Sequence, residues 1–314
     1  MKENLKITAV EPIGISESKA KELTALFNEK HCEFNIFYDR KEDADSLINR
    51  IGDSDIAIIS NIPLKAEVLE RCPNLKLIAV AFTGIDHIDM NYCKTHNIEV
   101  LNAAGYATEA VSELTIGLML DVMRKVSEKN DDIRCGGTRN NFLGCELKGK
   151  TVGIVGLGEI GKRTALLLKA FGCNVIAYTH RKHLNYERQG IVYTDLKTLM
   201  QQSDIISLHV PLTQDTYQMI NKDMLSLCKP SAIIINTARG NVIDMNALAD
   251  MLNNDKLAAA SVDVYENEPP IAATHPLLNA KNCICTPHIA FATRESFDSR
   301  IEIVTNNILN WLSK

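Results

Sequence analysis

Short apolar runs alternate with helix-period segments twice along this chain, and that alternation leaves few folds open. In the first half the runs at 6–10, 34–38, 55–60, 75–82 and 99–102 have strand length, and 18–30, 43–50, 65–71 and 89–96 read as helices between them. In the second half 151–156, 174–178, 204–210, 232–237 and 259–264 read as strands, with a shorter one at 283–286. Helices are expected there at 159–171, 195–202, 222–228 and 245–253, and a last one at 294–312. Near-continuous apolar strands separated by helices call for parallel sheets covered on both faces. The sequence therefore predicts an α/β chain of two modules in series. Between them 108–129 reads as one long helix, with Val111, Leu114, Leu118, Met119, Val122, Met123 and Val126 near a 3.6 period. The polar, glycine-bearing stretch 130–149 reads as a connecting loop.

Composition narrows the function classes. Hydrophobic residues make up 46% of the 314 and charged residues 23%, which excludes intrinsic disorder. The net charge of −5 argues against nucleic acid as a partner. The longest apolar run, 77–82, is far short of the ~20 residues of a membrane span, and MKENLKITAV has no signal-peptide core. Nine cysteines, an odd number without a CxxC pair, read as reduced thiols in a cytoplasm, with no disulfide framework and no metal site.

The first chemistry lies in TVGIVGLGEIG. Gly156, Gly158 and Gly161, with Glu159 and Ile160 between, fit G-x-G-x-x-G, and the motif follows an apolar strand and opens a helix. In that context Gly156 permits the tight turn, Gly158 the approach of a pyrophosphate, and Gly161 close packing of helix on strand. The helix N-terminus offers amide donors and the positive end of its dipole.

The end of the next strand discriminates between dinucleotides. An NAD site usually places Asp or Glu there for the ribose hydroxyls. Here Tyr178 is followed by Thr179, His180, Arg181 and Lys182, and the next carboxylate is Glu187. A carboxylate would repel a 2′-phosphate, whereas Thr and Arg can bind one. NADP(H) is therefore the expected cofactor, with NAD(H) still possible.

Three later segments put polar groups just past predicted strands, where open parallel sheets bind ligands. They are AIIINTARGNVID with Arg239, SVDVYENEPP with Asp263, Glu266 and Glu268, and CICTPHIAFAT with His288. At these residues the chain resembles the D-isomer-specific 2-hydroxyacid dehydrogenases, in particular the glyoxylate/hydroxypyruvate reductase branch. FTGIDHIDM, NAAGYATEAVSELTIGLML, LKGKTVGIVGLGEIG, DIISLHVPLTQDT, NTARGNVID, VDVYENEPP and TPHIA follow one another in the family's order over nearly the whole length.

The resemblance implies a Rossmann cofactor domain, 103–288, inserted in a flavodoxin-like substrate domain, 1–102 with 289–314. It implies a catalytic trio of Arg239, Glu268 and His288. His288 would protonate the substrate carbonyl oxygen, a role suited to an imidazole titrating near neutrality. Glu268 would hold that ring, and Arg239 would grip the 2-oxoacid carboxylate with its planar fork. Thr83 and Gly84 match the loop whose amides hold the same carboxylate. Thr108, His209, Pro211, Thr216, Ala238 and Asp263 match cofactor contacts, Asp263 at the nicotinamide carboxamide. The long helix would lie at a homodimer interface.

The chain also departs from the pattern. Thr179 replaces the usual acid, and the only tryptophan is Trp311, so the one often found near 135–138 is missing. Phe82-Thr83-Gly84 is not the arginine-bearing loop of the D-lactate dehydrogenase branch, and Glu268 disfavours the formate dehydrogenase branch. The expected activity is hydride transfer between NADP(H) and a small 2-oxoacid/D-2-hydroxyacid pair. The alternatives are an NAD-dependent, 3-phosphoglycerate-like biosynthetic dehydrogenase and a dinucleotide-sensing interaction protein.

Overall fold

A computed structural model describes residues 4–180, 184–267 and 271–314. Two compact units divide the chain, Met1–Ala107 with Ala292–Lys314, and Thr108–Phe291.

The first unit carries strands β1 (Leu5–Ala9), β2 (Cys32–Ile36), β3 (Ile56–Ile59), β4 (Leu77–Val80) and β5 (Glu99–Asn102). Helices α1 (Glu17–Asn28), α2 (Ala44–Ile51), α3 (Ala66–Leu69) and α4 (Met90–Thr95) separate them. The strands pair in parallel in the order β2-β1-β3-β4-β5, which is the flavodoxin-like winding. Central strands β3 and β4 are buried at every residue, as a sheet covered on both faces requires.

The second unit opens with helices α5 (Thr108–Arg124) and α6 (Val126–Arg134). Its strands are β6 (Thr151–Val155), β7 (Asn174–Tyr178), β8 (Ile191–Tyr193), β9 (Ile205–Leu208), β10 (Ile233–Asn236), β11 (Ala259–Val262) and β12 (Cys283–Cys285). Helices α7 (Glu159–Ala170), α8 (Leu184–Glu187), α9 (Leu196–Gln202), α10 (Lys222–Ser226) and α11 (Met245–Asn253) alternate with them. The order β12-β11-β10-β9-β6-β7-β8 reverses direction at β6, as a doubly wound dinucleotide fold does. The last helix, α12 (Arg294–Leu312), returns to the first unit and packs on β4 and β5.

Two sequence expectations need correcting. The single helix expected at 108–129 is two helices. Lys125 adopts a left-handed conformation (φ 50°), and the Asp121 carboxylate accepts the Ser127 amide at 2.8 Å, which starts α6. The polar stretch after 130 is consequently helical as far as Arg134.

The unit boundaries fall at 107/108 and 291/292, against 102/103 and 288/289 in the sequence reading. Ala103 stays with the first sheet because its amide donates to the carbonyls of Val80 (2.9 Å) and Phe82 (3.1 Å). Ile289 and Ala290 stay with the second because their amides bind Asp263.

Candidate functional site

The glycine loop leaves the C-terminal end of β6, where the strand order reverses. Each of its glycines answers a different constraint. Gly156 has φ +99°, and its amide donates to the Tyr178 carbonyl at 2.8 Å, fastening the loop to the end of β7. A Cβ on Gly161 would stand 2.0 Å from the Gly156 carbonyl oxygen, so α7 can sit this close only without a side chain. A Cβ on Gly158 would meet nothing within 4 Å. Gly158 is also the N-cap of α7, and no side chain caps the helix there. Glu159 pairs with Lys162 at 2.6 Å, and Ile160 directs its carbonyl at the Ser112 hydroxyl of α5. Open backbone, uncapped amides and a helix dipole make a cradle that fits the pyrophosphate of a dinucleotide.

Around that cradle, the end of β7 presents half-buried Thr179 and exposed His180, whose ring lies edge-on to Tyr178 at 5.9 Å. Arg181 and Lys182 lie outside the described residues. Below the glycine loop, His209 Nε2 is 2.8 Å from Ser207 Oγ, and burial pulls the imidazole down to about 4. His209 is therefore neutral at pH 7 and brings no positive charge to the cofactor side. The Thr216 hydroxyl donates to the Pro211 carbonyl at 2.6 Å and accepts the Thr213 amide at 2.8 Å, so it closes its own turn. Thr108 starts α5, and its carbonyl accepts the Ser112 hydroxyl at 2.7 Å.

Arg239, Asp263 and His288 follow β10, β11 and β12, three strands adjacent in the sheet. Asn236, fully buried at the end of β10, shapes the first turn. Its side chain accepts the Ala238 amide and donates to the Arg239 carbonyl, each at 3.0 Å. Gly240 is obligatory, because a Cβ there would sit 2.0 Å from the backbone of Tyr265. Arg239 Nη1 donates to the Ala238 carbonyl at 2.8 Å.

Asp263 is fully buried and braces the turn that carries His288. Oδ1 accepts the Thr286 hydroxyl at 2.6 Å and the Ile289 amide at 2.9 Å, and Oδ2 accepts the Ala290 amide at 2.8 Å. His288 sits inside that bracket with φ +53°, its ring edge-on to Phe291 at 5.4 Å. Left-handed backbone at a histidine persists only where its surroundings determine it. The sequence reading missed this brace and the one at Asn236, although both residues stand in the quoted blocks. Glu268 lies outside the described residues. His275 binds Glu266 at 2.9 Å and packs edge-on to Tyr265.

Thr83 and Gly84 belong to the first unit, in the loop after β4. The exposed Thr83 accepts the Asn102 side chain on its carbonyl at 2.6 Å. Among the described residues no cluster of three His, Cys, Asp or Glu could hold a metal ion, and no helix is long and apolar enough to cross a membrane.

Residues 116–290 match the family model described as the NAD binding domain of the D-isomer specific 2-hydroxyacid dehydrogenases. The hydroxypyruvate reductase of Blautia hydrogenotrophica is 38% identical over 88% of this chain and 88% of that one. The chain belongs to the D-isomer specific 2-hydroxyacid dehydrogenases. The glyoxylate reductase of Thermococcus litoralis is 39% identical (90% and 88% covered), and the D-3-phosphoglycerate dehydrogenase of Archaeoglobus fulgidus 38% (81% and 49%). An acyclic imino acid reductase solved with NADPH and D-Arg shares the fold with a TM-score of 0.89 at 32% identity, covering 98% of this chain and 97% of that one. This dehydrogenase is thus an oxidoreductase that uses a nicotinamide dinucleotide.

Proposed function

We propose that this dehydrogenase reduces small 2-oxoacids such as glyoxylate and hydroxypyruvate to D-2-hydroxyacids, with NADPH as the preferred donor. The observation that carries the reading is the alignment of Arg239, Asp263 and His288 past three neighbouring strands of the sheet that bears the glycine cradle. The cofactor supplies the hydride. Arg239 binds the substrate carboxylate, and its fork polarises the adjacent carbonyl. His288 donates the proton to the carbonyl oxygen, with Glu268 holding its ring, and Asp263 fixes the turn from which it acts. Thr83 and Gly84 supply amides for the same carboxylate. Thr179, in place of an acid, supports the NADPH preference, with Arg181 as the partner of the 2′-phosphate.

Two further expectations complete the proposal. Exposed Ile133 (64%) and Leu143 (80%), on α6 and the segment after it, support a homodimer whose second copy covers them. All nine cysteines carry free thiols, which supports a cytoplasmic location.

The test is steady-state reduction of glyoxylate, hydroxypyruvate and 3-phosphohydroxypyruvate with NADPH and NADH in parallel. Loss of one charge-assisted hydrogen bond is ~1.5–3 kcal/mol, so NADPH should lead by at least about tenfold in kcat/KM. His288→Ala should lower kcat about 10²-fold. A lead for NADH would remove the cofactor assignment, and a preference for the phosphorylated substrate would favour the biosynthetic reading.

A further inference from the structure

A second cluster of reactive groups lies in the same unit, on the strand that leads to His288. Cys283 and Cys285 stand two residues apart on β12, so their side chains share one face of the strand. Their sulfurs are 3.8 Å apart, within S–H···S distance. Both are half-buried and pack against the apolar core of the unit, and among the described residues β12 is the edge strand of its sheet, paired with β11. The Cα atoms of alternate strand residues are separated by about 6.6 Å, at the long end of the range that a disulfide spans, so closing the bond requires this edge strand to contract locally. Cys135 and Cys145 are the chain's two exposed cysteines, whereas the remaining five are buried.

The surroundings make the two sulfurs unequal. Either sulfur can donate to the other, and the Cys285 thiol also reaches the Leu277 carbonyl at 3.7 Å; with Cys283 as the donor, Cys285 is drawn down to about 7, aided by the Tyr265 hydroxyl and His275, against the opposing effect of burial. Cys283 is pushed up by the same sulfur–sulfur hydrogen bond and by burial. A thiol of lowered pKa at one position and a proton-sharing neighbour of raised pKa at the other is the arrangement of an attacking and a resolving cysteine.

We propose that Cys283 and Cys285 form a two-cysteine oxidation site for small hydroperoxides. The Cys285 thiolate attacks the terminal peroxide oxygen. The O–O bond breaks, the alkoxide leaves and takes a proton from solvent as alcohol, and Cys285 becomes a sulfenic acid. The Cys283 sulfur then attacks the Cys285 sulfur. The S–S bond forms, the S–O bond breaks, and the departing hydroxide leaves as water with the Cys283 proton. The pair loses two electrons and the peroxide gains them. This chemistry needs neither dinucleotide nor substrate, so it stands apart from the assignment of His288.

Trypsin cleavage after Lys281 and Arg294 gives one peptide, 282–294, that holds these two cysteines and no others. The full-length protein is treated with hydrogen peroxide at pH 7, quenched with iodoacetamide and analysed by mass spectrometry. The expected product is this peptide unalkylated and lighter by two hydrogen atoms, restored by dithiothreitol. Cys285 should be lost at least about fivefold faster than Cys135 or Cys145. Cys283→Ser should stop at a sulfenic acid on Cys285 that dimedone traps, and Cys285→Ser should leave Cys283 alkylated. Both variants should keep the circular dichroism of the unmodified chain. A peptide that remains doubly alkylated while Cys135 or Cys145 oxidises overturns the proposal, as does sulfenic acid forming on Cys283 in the Cys285→Ser protein.

Discussion

The two units turn the same corner in opposite ways. Each has a central strand, β1 or β6, that ends in a turn and enters a helix, α1 or α7. In the first unit the turn is long, and the Ser16 hydroxyl caps α1 by accepting the Lys19 amide at 3.2 Å. The space above Gly14 is filled by the returning helix: a Cβ there would lie 2.4 Å from Phe297, and Arg300 donates to the Ile13 carbonyl at 2.7 Å. In the second unit the turn is three residues long, no side chain caps α7, and the space above Gly158 is open. One winding rule therefore yields a plugged corner and a binding corner. What separates them is whether the chain itself satisfies the helix amides.

The largest expected effect comes from closing the second corner from within. Gly161→Ala sets a methyl 2.0 Å from a backbone oxygen, so α7 must move off β6. Overpacking against side chains costs 1–3 kcal/mol, and here the obstacle is backbone, so at least about 3 kcal/mol is expected. Urea denaturation reads it, and an unshifted midpoint would mean that the helix is not locked onto the strand.

His209, under the same corner, should show itself through pH. Its imidazole titrates at about 4 in the folded chain against an ordinary value of 6.5. The unfolded chain therefore binds the proton first as pH falls. The contribution is fully present above about 6.5, declines below it, and is gone near 4. The shift corresponds to up to about 3 kcal/mol. Between pH 7 and pH 4 wild-type protein should lose that much more stability than His209→Gln, and parallel curves would refute the burial argument.

A pair of buried carboxylates extends the comparison. Glu11 in the first unit and Asp263 in the second each follow a strand and collect donors from the loop after another. Glu11 takes the amides of Ser60, Asn61 and Ile62 at 2.7–3.1 Å, and burial raises its pKa. Only the Asp263 loop carries a candidate acid. Asn has one acceptor oxygen where three donors converge, so Asp263→Asn should loosen that loop and lower kcat about 10²-fold. The kcat–pH profile should shift as well, because the variant alters the setting of His288. Retained kcat with an unchanged profile would show that the turn holds itself.

Gly158→Ala reverses the logic of Gly161→Ala. The methyl enters open space and the backbone there (φ −73°) accommodates alanine, so stability should hold. Dinucleotide affinity should fall about tenfold, because the methyl stands where the pyrophosphate approaches; tenfold is about 1.4 kcal/mol. Fluorescence titration reads this change, and unaltered affinity would place the cofactor elsewhere.

These contrasts also show what a sequence displays. Period and spacing located the main strands and the glycine loop, since both are written in contiguous residues. They missed β8, which has three residues, and the break at Lys125, which no glycine or proline announces and which the side chain of Asp121 sets. The Asp263 brace was hidden for a different reason. Its donors lie 23 to 27 residues away, and only the register of β11 on β12 brings them together. Family likeness pointed to Asp263 as a cofactor ligand, and its carboxylate also binds the His288 turn.

The smallest effect tests the plugged corner. Ser16→Ala removes the side chain that caps α1, and such caps are worth about 1 kcal/mol. The Lys19 amide is solvent-exposed, so water can replace the lost acceptor in part. Phe297 and Arg300 still fill the space over Gly14, so the freed amide gains no room for an anion. The variant should therefore lose about 1 kcal/mol in urea denaturation and keep the dinucleotide affinity of the unmodified protein. A second dinucleotide or inorganic phosphate bound by Ser16→Ala would show that the capping hydroxyl, rather than α12, keeps this corner closed.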